Sequence, residues 1–99
     1  TNLVFHLIIS RLLQTVNKAA LSRTLKKHGR VYIERFELEN EHFHYHCIFE
    51  PNNASFSSNL KRLLRPIIGT AARTKIKHFT CKQHARNTYQ YIKRKQKIS

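Results

Sequence analysis

The stretch "VYIERFELENEHFHYHCIF", residues 31–49, decides the fold of this chain. Residues 31–38 and 42–49 both alternate in side-chain character at every second position, and only the polar segment "ENE" lies between them. Alternation with a period of two is typical of β-strands, and a short polar link between two such runs favours a tight turn. The stretch therefore predicts a β-hairpin.

The second strand of this hairpin carries three histidines on one side. Successive side chains of a strand point to opposite faces of the sheet. His42, His44 and His46 therefore share one face, which we call the histidine face. The opposite face of this strand is expected to enter the core and carries Phe43, Tyr45, Cys47 and Phe49.

A tight turn with a two-residue loop also fixes which face each residue of the first strand shares. Odd positions then lie beside the even positions of the second strand, so Glu37 faces His44 in one register and His42 in the other. The first-strand residues expected on the histidine face are Ile33, Arg35 and Glu37. Those expected on the opposite face are Tyr32, Glu34, Phe36 and Leu38.

This arrangement of a carboxylate and two imidazoles is suited to a divalent cation. Cross-strand neighbours have Cβ atoms about 5 Å apart, which is close enough for Glu37, His44 and His46 to share one ion. Two nitrogen ligands and a carboxylate suit Mn²⁺ or Zn²⁺, and Mg²⁺ when phosphate oxygens complete the shell. Among these, we favour Mn²⁺ or Mg²⁺ over Zn²⁺. Glu39 is the second choice of carboxylate. The competing interpretation is a solvated polar face without metal.

The rest of the chain supplies further elements by the same patterning. The predicted elements are a strand at 3–9, a helix at 11–27 ended by Gly29, the two hairpin strands, a short helix at 58–65 stopped by Pro66, a strand at 74–80 and a helix at 82–96. The order β-α-β-β-α-β-α predicts a single α+β domain over residues 1–99. We expect a ferredoxin-like or RRM-like antiparallel sheet of four or five strands, with helices mainly on one side and the histidine face left free.

The charge of the chain indicates its partner. The 19 lysines and arginines face only five acidic residues, which gives a net charge of +14, and all five acids are glutamates between positions 34 and 50. Such a surface attracts polyanions through counterion release, so nucleic acid is favoured over a membrane surface. No apolar run approaches the ~20 residues of a membrane span. The only glycines, Gly29 and Gly69, form no Walker-type loop, so no ATP site is expected within this chain.

The histidine strand also resembles a known family. "HYHCIF", residues 44–49, resembles the His-hydrophobic-His motif of HUH endonucleases, which initiate rolling-circle and rolling-hairpin replication. The segment 37–50, "ELENEHFHYHCIFE", is similar to the corresponding part of parvovirus replication-initiator nuclease domains, in which a glutamate lies seven residues before the first motif histidine. The resemblance implies Glu37, His44 and His46 as metal ligands, with His42 as a neighbour that contacts DNA.

The family also has a tyrosine on a late helix, followed by a lysine three or four residues on. "NTYQYIKRKQ", residues 87–96, resembles this motif in two ways. Tyr91 is followed by Arg94, where a strict motif has lysine, and then by Lys95, whereas Tyr89 is followed by Lys93. The two tyrosines lie about 200° apart around a helix, so only one can face the metal. Tyr91 is favoured as the nucleophile and Tyr89 remains the alternative.

The resemblance implies an enzyme that nicks and joins single-stranded DNA at a replication origin through a 5′-phosphotyrosine intermediate. The implied setting is intracellular: the host nucleus for a virus of eukaryotes, otherwise the cytoplasm. The resemblance leaves the source open among a parvovirus-like virus, a circular single-stranded DNA virus and a rolling-circle plasmid. It implies a helicase domain or host replication proteins as further partners. Basic residues expected to hold the DNA strand are Lys61, Arg62, Arg65, Arg73, Lys75, Lys77 and Arg94.

Three other functions remain open at this point. The same strand order is found in RNA-recognition modules, in which aromatic residues of the sheet stack bases without cleavage. A single-strand transposase of the same superfamily would share the chemistry. A small zinc-stabilised binding domain would lose its fold on chelation.

Overall fold

In the part of the chain that the computed structural model describes, seven elements follow one another in the predicted order. The structure describes residues 4–53 and 56–98, with side chains except at 56–58 and 95–98. The elements are β1 (Phe5–Leu13), α1 (Lys18–His28), β2 (Gly29–Glu39), β3 (His42–Pro51), α2 (Phe56–Ile68), β4 (Arg73–His78) and α3 (Lys82–Ile98). Within the described ranges, no helix is both long and apolar enough to cross a membrane.

The four strands form one antiparallel sheet in the order β2-β3-β1-β4. The hairpin strands β2 and β3 are neighbours, and β1 lies between β3 and β4. This is the ferredoxin-like order, in which β1 and β3 are the central strands and β2 and β4 are the edges. The predicted α+β class and element order are confirmed.

The hairpin adopts the register that places Glu37 directly across from His44. Glu39 pairs with His42 and Arg35 pairs with His46, so the loop consists of Asn40 and Glu41. Asn40 has a φ of 59°, a left-handed conformation that asparagine tolerates better than most residues and that two-residue hairpin turns require. The turn chemistry therefore sets which side chains meet on the histidine face.

Helices α1 and α2 cover the opposite face of the sheet and enclose the main core. Tyr45 and Phe49 of β3 are fully buried there against leucines of both helices, as the alternation of β3 predicts. The fully buried helical leucines are Leu21 and Leu25 of α1 and Leu60 and Leu64 of α2. Cys47 is buried in the same layer as a free thiol, and its burial raises the pKa of the thiol to about 12.

Helix α3 lies against the histidine face, which corrects the expectation that this face is left free. Ile92 of α3 is fully buried outside the main core cluster. Its carbonyl oxygen accepts a hydrogen bond of 3.2 Å from Arg35 of β2. The sequence pattern of α3 has an apolar stripe but does not show which side of the sheet that stripe covers. The sheet is therefore packed on both faces.

The predicted helix at 11–27 begins too early, because β1 continues to Leu13. The register between β1 and β3 shifts by one residue between Ile9 and Leu12, and Arg11 in this bulge has a φ of 60°. The bulge turns Leu12 back into the core, so the leucine spacing there imitates a helix. Helix α1 starts after Asn17, whose side chain accepts a hydrogen bond from the Ala20 amide.

Pro66 does not stop α2, which is a second correction. The helix continues to Ile68, which is buried, and ends at Gly69 with a φ of 83° and a bond from its amide to the Arg65 carbonyl. A proline removes one helical hydrogen bond, and the burial of Ile68 keeps the last turn in place. Gly29, predicted to end α1, is the first residue of β2 and is extended; a Cβ atom there would meet the Phe49 ring and the Glu50 carbonyl oxygen.

Candidate functional site

The histidine face brings five polar side chains together beneath α3. They come from three neighbouring strands, because β3 lies between β2 and β1. Pairing places Glu37 across from His44, Arg35 across from His46, and Ile8 across from His46 on the other side. The five are His6 of β1, Arg35 and Glu37 of β2, and His44 and His46 of β3.

His44 is held by a carboxylate on the neighbouring strand. Its Nδ1 lies 2.6 Å from Glu39 Oε2, and the histidine is half-buried whereas the glutamate is exposed. An ionised carboxylate only accepts hydrogen bonds, so Nδ1 of His44 carries the proton and Nε2 is the nitrogen left to bind another group. Histidines that bind metals are commonly oriented in this way by a carboxylate. Glu39, the second choice as a ligand, therefore orients His44.

His46 is held by a second histidine that the sequence prediction missed. His6 Nε2 lies 3.1 Å from His46 Nδ1, and the two ring centres are 5.3 Å apart. Burial lowers the pKa of His46 to about 4, and the positive charge of Arg35 adds to this effect. Burial likewise lowers the pKa of His6 to about 4, with His46 and Lys77 contributing. Both imidazoles are therefore neutral at pH 7, the state in which histidine binds metal.

Arg35 is a buried cation within this cluster. Its side chain is 7% exposed. One guanidinium nitrogen lies 2.8 Å from Glu37 Oε2, and another donates to the Ile92 carbonyl. Its Nε is buried and has no hydrogen-bond partner among the residues that the structure describes. Arg35 therefore ties β2 to α3 and places positive charge beside the predicted ligands.

The predicted ligands are neighbours, but each is engaged with another group. Glu37 pairs with Arg35, His44 with Glu39 and His46 with His6. In this arrangement, no three His, Cys, Asp or Glu side chains of residues 4–53 and 59–94 are placed to hold one metal ion. The ring centres of His44 and His46 are 6.0 Å apart. Metal–nitrogen distances are about 2 Å, so both imidazoles would have to rotate toward each other to share one cation. The donor types, two imidazoles and one carboxylate, suit Mn²⁺, and Mg²⁺ when phosphate oxygens complete the shell.

The two tyrosines of α3 lie in different surroundings. The Tyr91 ring is edge-on to His46, with centres 6.2 Å apart, and the Arg35 guanidinium lies 5.4 Å from its centre. Tyr91 is 47% exposed, so its ring remains accessible from solvent. Tyr89 is half-buried and lines a separate cavity beside Ile48. The structure thus brings Tyr91, and not Tyr89, to the histidines.

Some of the predicted DNA-binding residues share this face. Strand pairing places Lys77 across from His6, Lys75 across from Ile8 and Arg73 across from Ser10, so their side chains lie on the histidine face at the sheet edge. His42 is exposed at the hairpin end and lines a groove with Arg11, His44 and Arg73. Lys75, Ile8 and His46 lie in one row across the sheet, so this cationic edge is one strand away from the histidine of β3.

Three of the other predicted DNA-binding residues lie on α2, away from the histidines. Arg62 is exposed on α2, in the helical layer of the opposite face, and Lys61 and Arg65 of α2 share a groove with Arg73 at the start of β4. On α3, Lys93 and Arg94 are exposed. The side chain of Lys95 lies outside the described residues.

His6 and Arg35 are the members of the cluster to which the sequence prediction gave no role. His6 carries a visible signal, since it interrupts the apolar run "LVFHLII" of residues 3–9. The alternation of odd and even positions along β2 predicts the correct face for Arg35, but its burial depends on α3 and no local pattern shows it.

No family model, no curated protein and no solved structure matches this chain.

Proposed function

We propose that this chain is an HUH-type endonuclease domain that nicks and joins single-stranded DNA, with Tyr91 as its nucleophile. The observation that carries the proposal is the position of Tyr91, edge-on to His46 and 5.4 Å from the Arg35 guanidinium. An accessible tyrosine beside neutral histidines, a carboxylate and a buried cation combines a nucleophile with groups that attract a phosphate. The net charge of +14 supports a polyanionic substrate.

The proposed reaction is a transesterification. Tyr91 Oη forms a bond to the scissile phosphorus while the bond from phosphorus to the 3′-oxygen breaks. The phenolic proton leaves Tyr91 and the departing 3′-oxygen gains a proton, which gives a 5′-phosphotyrosine and a free 3′-hydroxyl. The bond energy is kept in the phosphodiester, so the reverse step joins ends without ATP.

Glu37, His44 and His46 would hold a divalent cation in this proposal, with Glu39 and His6 orienting the two imidazoles through their Nδ1 atoms. Mn²⁺ or Mg²⁺, when bound, supplies charge that polarises a non-bridging phosphate oxygen and offsets negative charge in the transition state. Neutral His46 keeps a lone pair for this task at pH 7, because burial lowers its pKa to about 4. Glu37 is held at the site by Arg35, 2.8 Å away.

Arg35 has a positioning role in this proposal. Its two hydrogen-bonded nitrogens join Glu37 to the α3 backbone at Ile92, the residue directly after Tyr91. The carboxylate and the nucleophile are therefore tied to one guanidinium. Lys95 comes four residues after Tyr91, about one helical turn, and is the lysine that would steady the phosphate, whereas Lys93 has the same spacing from the alternative nucleophile Tyr89.

Base stacking on the sheet, as in an RNA-recognition module, is less well supported. Tyr45 is fully buried in the core and its hydroxyl donates to Glu34 at 2.6 Å. Phe43 packs against the same core. Neither ring is available on the histidine face, and α3 covers part of that face.

A cleavage assay tests the proposal. A labelled single strand carrying a candidate origin sequence is incubated with the chain and Mn²⁺ or Mg²⁺, and with EDTA as the metal-free control. Cleavage and a covalent protein–DNA adduct are expected with the metal, retained in Tyr89→Phe and lost in Tyr91→Phe. If Tyr91→Phe forms the adduct and Tyr89→Phe does not, Tyr89 is the nucleophile. If both variants form the adduct as the unaltered chain does, neither tyrosine is the nucleophile and the proposed nuclease mechanism is excluded.

A further inference from the structure

A second cavity lies beneath the first half of α3, beyond the histidine cluster. Its volume is about 520 Å³, within the range of about 300–1,000 Å³ typical of small-molecule sites. The cavity is lined mainly by apolar atoms. Ile48, one of its lining residues, is two residues along β3 from His46, so the cavity lies next to the histidine cluster. The side chains that matter for its chemistry are Tyr32, Ile48, Phe79, Lys82, Arg86 and Tyr89.

Three aromatic rings, from three separate parts of the chain, form the walls. Tyr89 comes from α3, Phe79 from the segment before α3, and Tyr32 from β2. Phe79 is held edge-on by His84, with ring centres 5.2 Å apart. Flat apolar walls of this kind accept a flat ring by stacking.

Tyr32 reaches this cavity because β2 is irregular. Simple alternation places Tyr32 on the opposite face, away from the histidines. The register of β2 against β3 shifts between Val31 and Ile33, so Tyr32 is the extra residue of a bulge. It turns to the α3 side, where its hydroxyl donates to Glu50 at 2.8 Å. Bulges commonly re-aim a side chain beside a functional site.

The rim of the cavity is positively charged. Lys82 and Arg86 line it from α3, and the Arg30 guanidinium lies 4.7 Å from the centre of the Tyr32 ring. The neighbouring carboxylate of Glu50 already accepts a hydrogen bond from the Tyr32 hydroxyl. Aromatic walls with a cationic rim match a flat base attached to a phosphate backbone, and such stacking sites tolerate different bases.

We propose that this cavity binds an unpaired nucleobase of single-stranded DNA, with Tyr89 as a stacking wall. The inference rests on the proposed function, because it assumes that the strand bound in this cavity is the one that reaches Tyr91. Tyr89 and Tyr91 are two residues apart on one helix, and their side chains enter the cavity and the histidine cluster respectively. The second tyrosine of the motif thus holds substrate while the first reacts.

Binding of two strands to the Tyr91→Phe chain in EDTA tests this inference without any chemistry. One strand is oligo(dT) and the other is an abasic strand of the same length and charge, both followed by fluorescence anisotropy. Oligo(dT) is expected to bind more tightly. Tyr89→Ala is expected to weaken oligo(dT) binding by about 5- to 150-fold, from about 1–3 kcal/mol per stacked base, and to leave abasic binding unchanged.

Tyr89→Phe is the matched control, because it keeps the ring and is expected to keep the preference for oligo(dT). Equal affinity of the Tyr91→Phe chain for the two strands would overturn the inference. It would also be overturned if Tyr89→Ala lowered the affinity for both strands equally while the thermal unfolding of the protein stayed unchanged.

Cys81 gives a second measurement on the unaltered chain. It is exposed and lines the cavity, whereas Cys47 is buried. Oligo(dT) is expected to slow alkylation of Cys81 by iodoacetamide, and the abasic strand is not; equal slowing by both strands contradicts base binding here. Base-dependent binding without any covalent adduct would contradict the proposed nuclease activity and support base binding in this cavity. An adduct together with base-independent binding would support the nuclease activity and contradict base binding here.

Discussion

Tyr91 of α3 lies edge-on to His46 of β3, with their ring centres 6.2 Å apart and their planes at 77°. The contact joins the last helix to the central part of the sheet. Its consequence is that the tyrosine, the histidines and Arg35 belong to one packed unit, so changes that loosen α3 are expected to affect the site.

Arg35→Lys is expected to lower the free energy of unfolding by about 1–3 kcal/mol. Lysine keeps the positive charge but cannot bond Glu37 and the Ile92 carbonyl with the planar fork of arginine. Urea unfolding followed by circular dichroism measures the change. Arg62→Lys, at an exposed site of α2, is the matched control and should stay within about 0.5 kcal/mol. A cost no larger than the control would mean that Arg35 does not hold α3.

The stability of the metal-free protein is expected to fall as the pH decreases from about 6.5 to about 4. In the folded state the pKa of His6 and that of His46 are lowered to about 4, against 6.5 in the unfolded chain. The unfolded chain therefore binds more protons in this window, so the stabilisation is fully present above pH 6.5 and is lost on acidification.

Thermal unfolding in EDTA across this pH range tests the effect. His46→Gln removes one of the two titrating groups, so its pH dependence should be shallower than that of the unaltered chain. Equal slopes for the two proteins would contradict the placement of His46 in a buried pair.

Removal of Lys75 and Lys77 is expected to weaken single-stranded DNA binding regardless of sequence. Both lie on the histidine face at the β4 edge, where each would neutralise one phosphate. The salt dependence of the binding constant should become shallower by about 0.7 per lysine removed. Lys26→Ala with Lys27→Ala removes the same charge from exposed positions of α1 and should change the slope less. An equal change in both double variants would place the strand elsewhere.

The hairpin was predictable because its turn is short and the side chains next to the turn alternate regularly between the two faces of the sheet. A two-residue turn allows two registers and three histidines alternate on one strand, so the pairing of Glu37 with His44 required only the correct choice between those registers. The chemistry of the donor set follows from that pairing.

The parts that could not be predicted depend on single-residue irregularities and on helix placement. The bulges at Arg11 and Tyr32 each reverse the alternation of faces, and nothing in the adjacent sequence marks them. The side of the sheet taken by α3 is set by the burial of Ile92 against β2 and β3. The burial of Arg35 and the contact of Tyr91 with His46 follow from that placement.

Locating the covalent bond on the protein tests the proposed nucleophile directly. Tryptic cleavage after Arg86 and Lys93 releases one peptide that contains both Tyr89 and Tyr91. Tandem mass spectrometry of the adduct, after nuclease trimming of the DNA, can assign the modified residue. We expect a nucleotide attached through its 5′-phosphate to Tyr91. A nucleotide on Tyr89, or a strand that is cut in the presence of Mn²⁺ without any protein adduct, would contradict it.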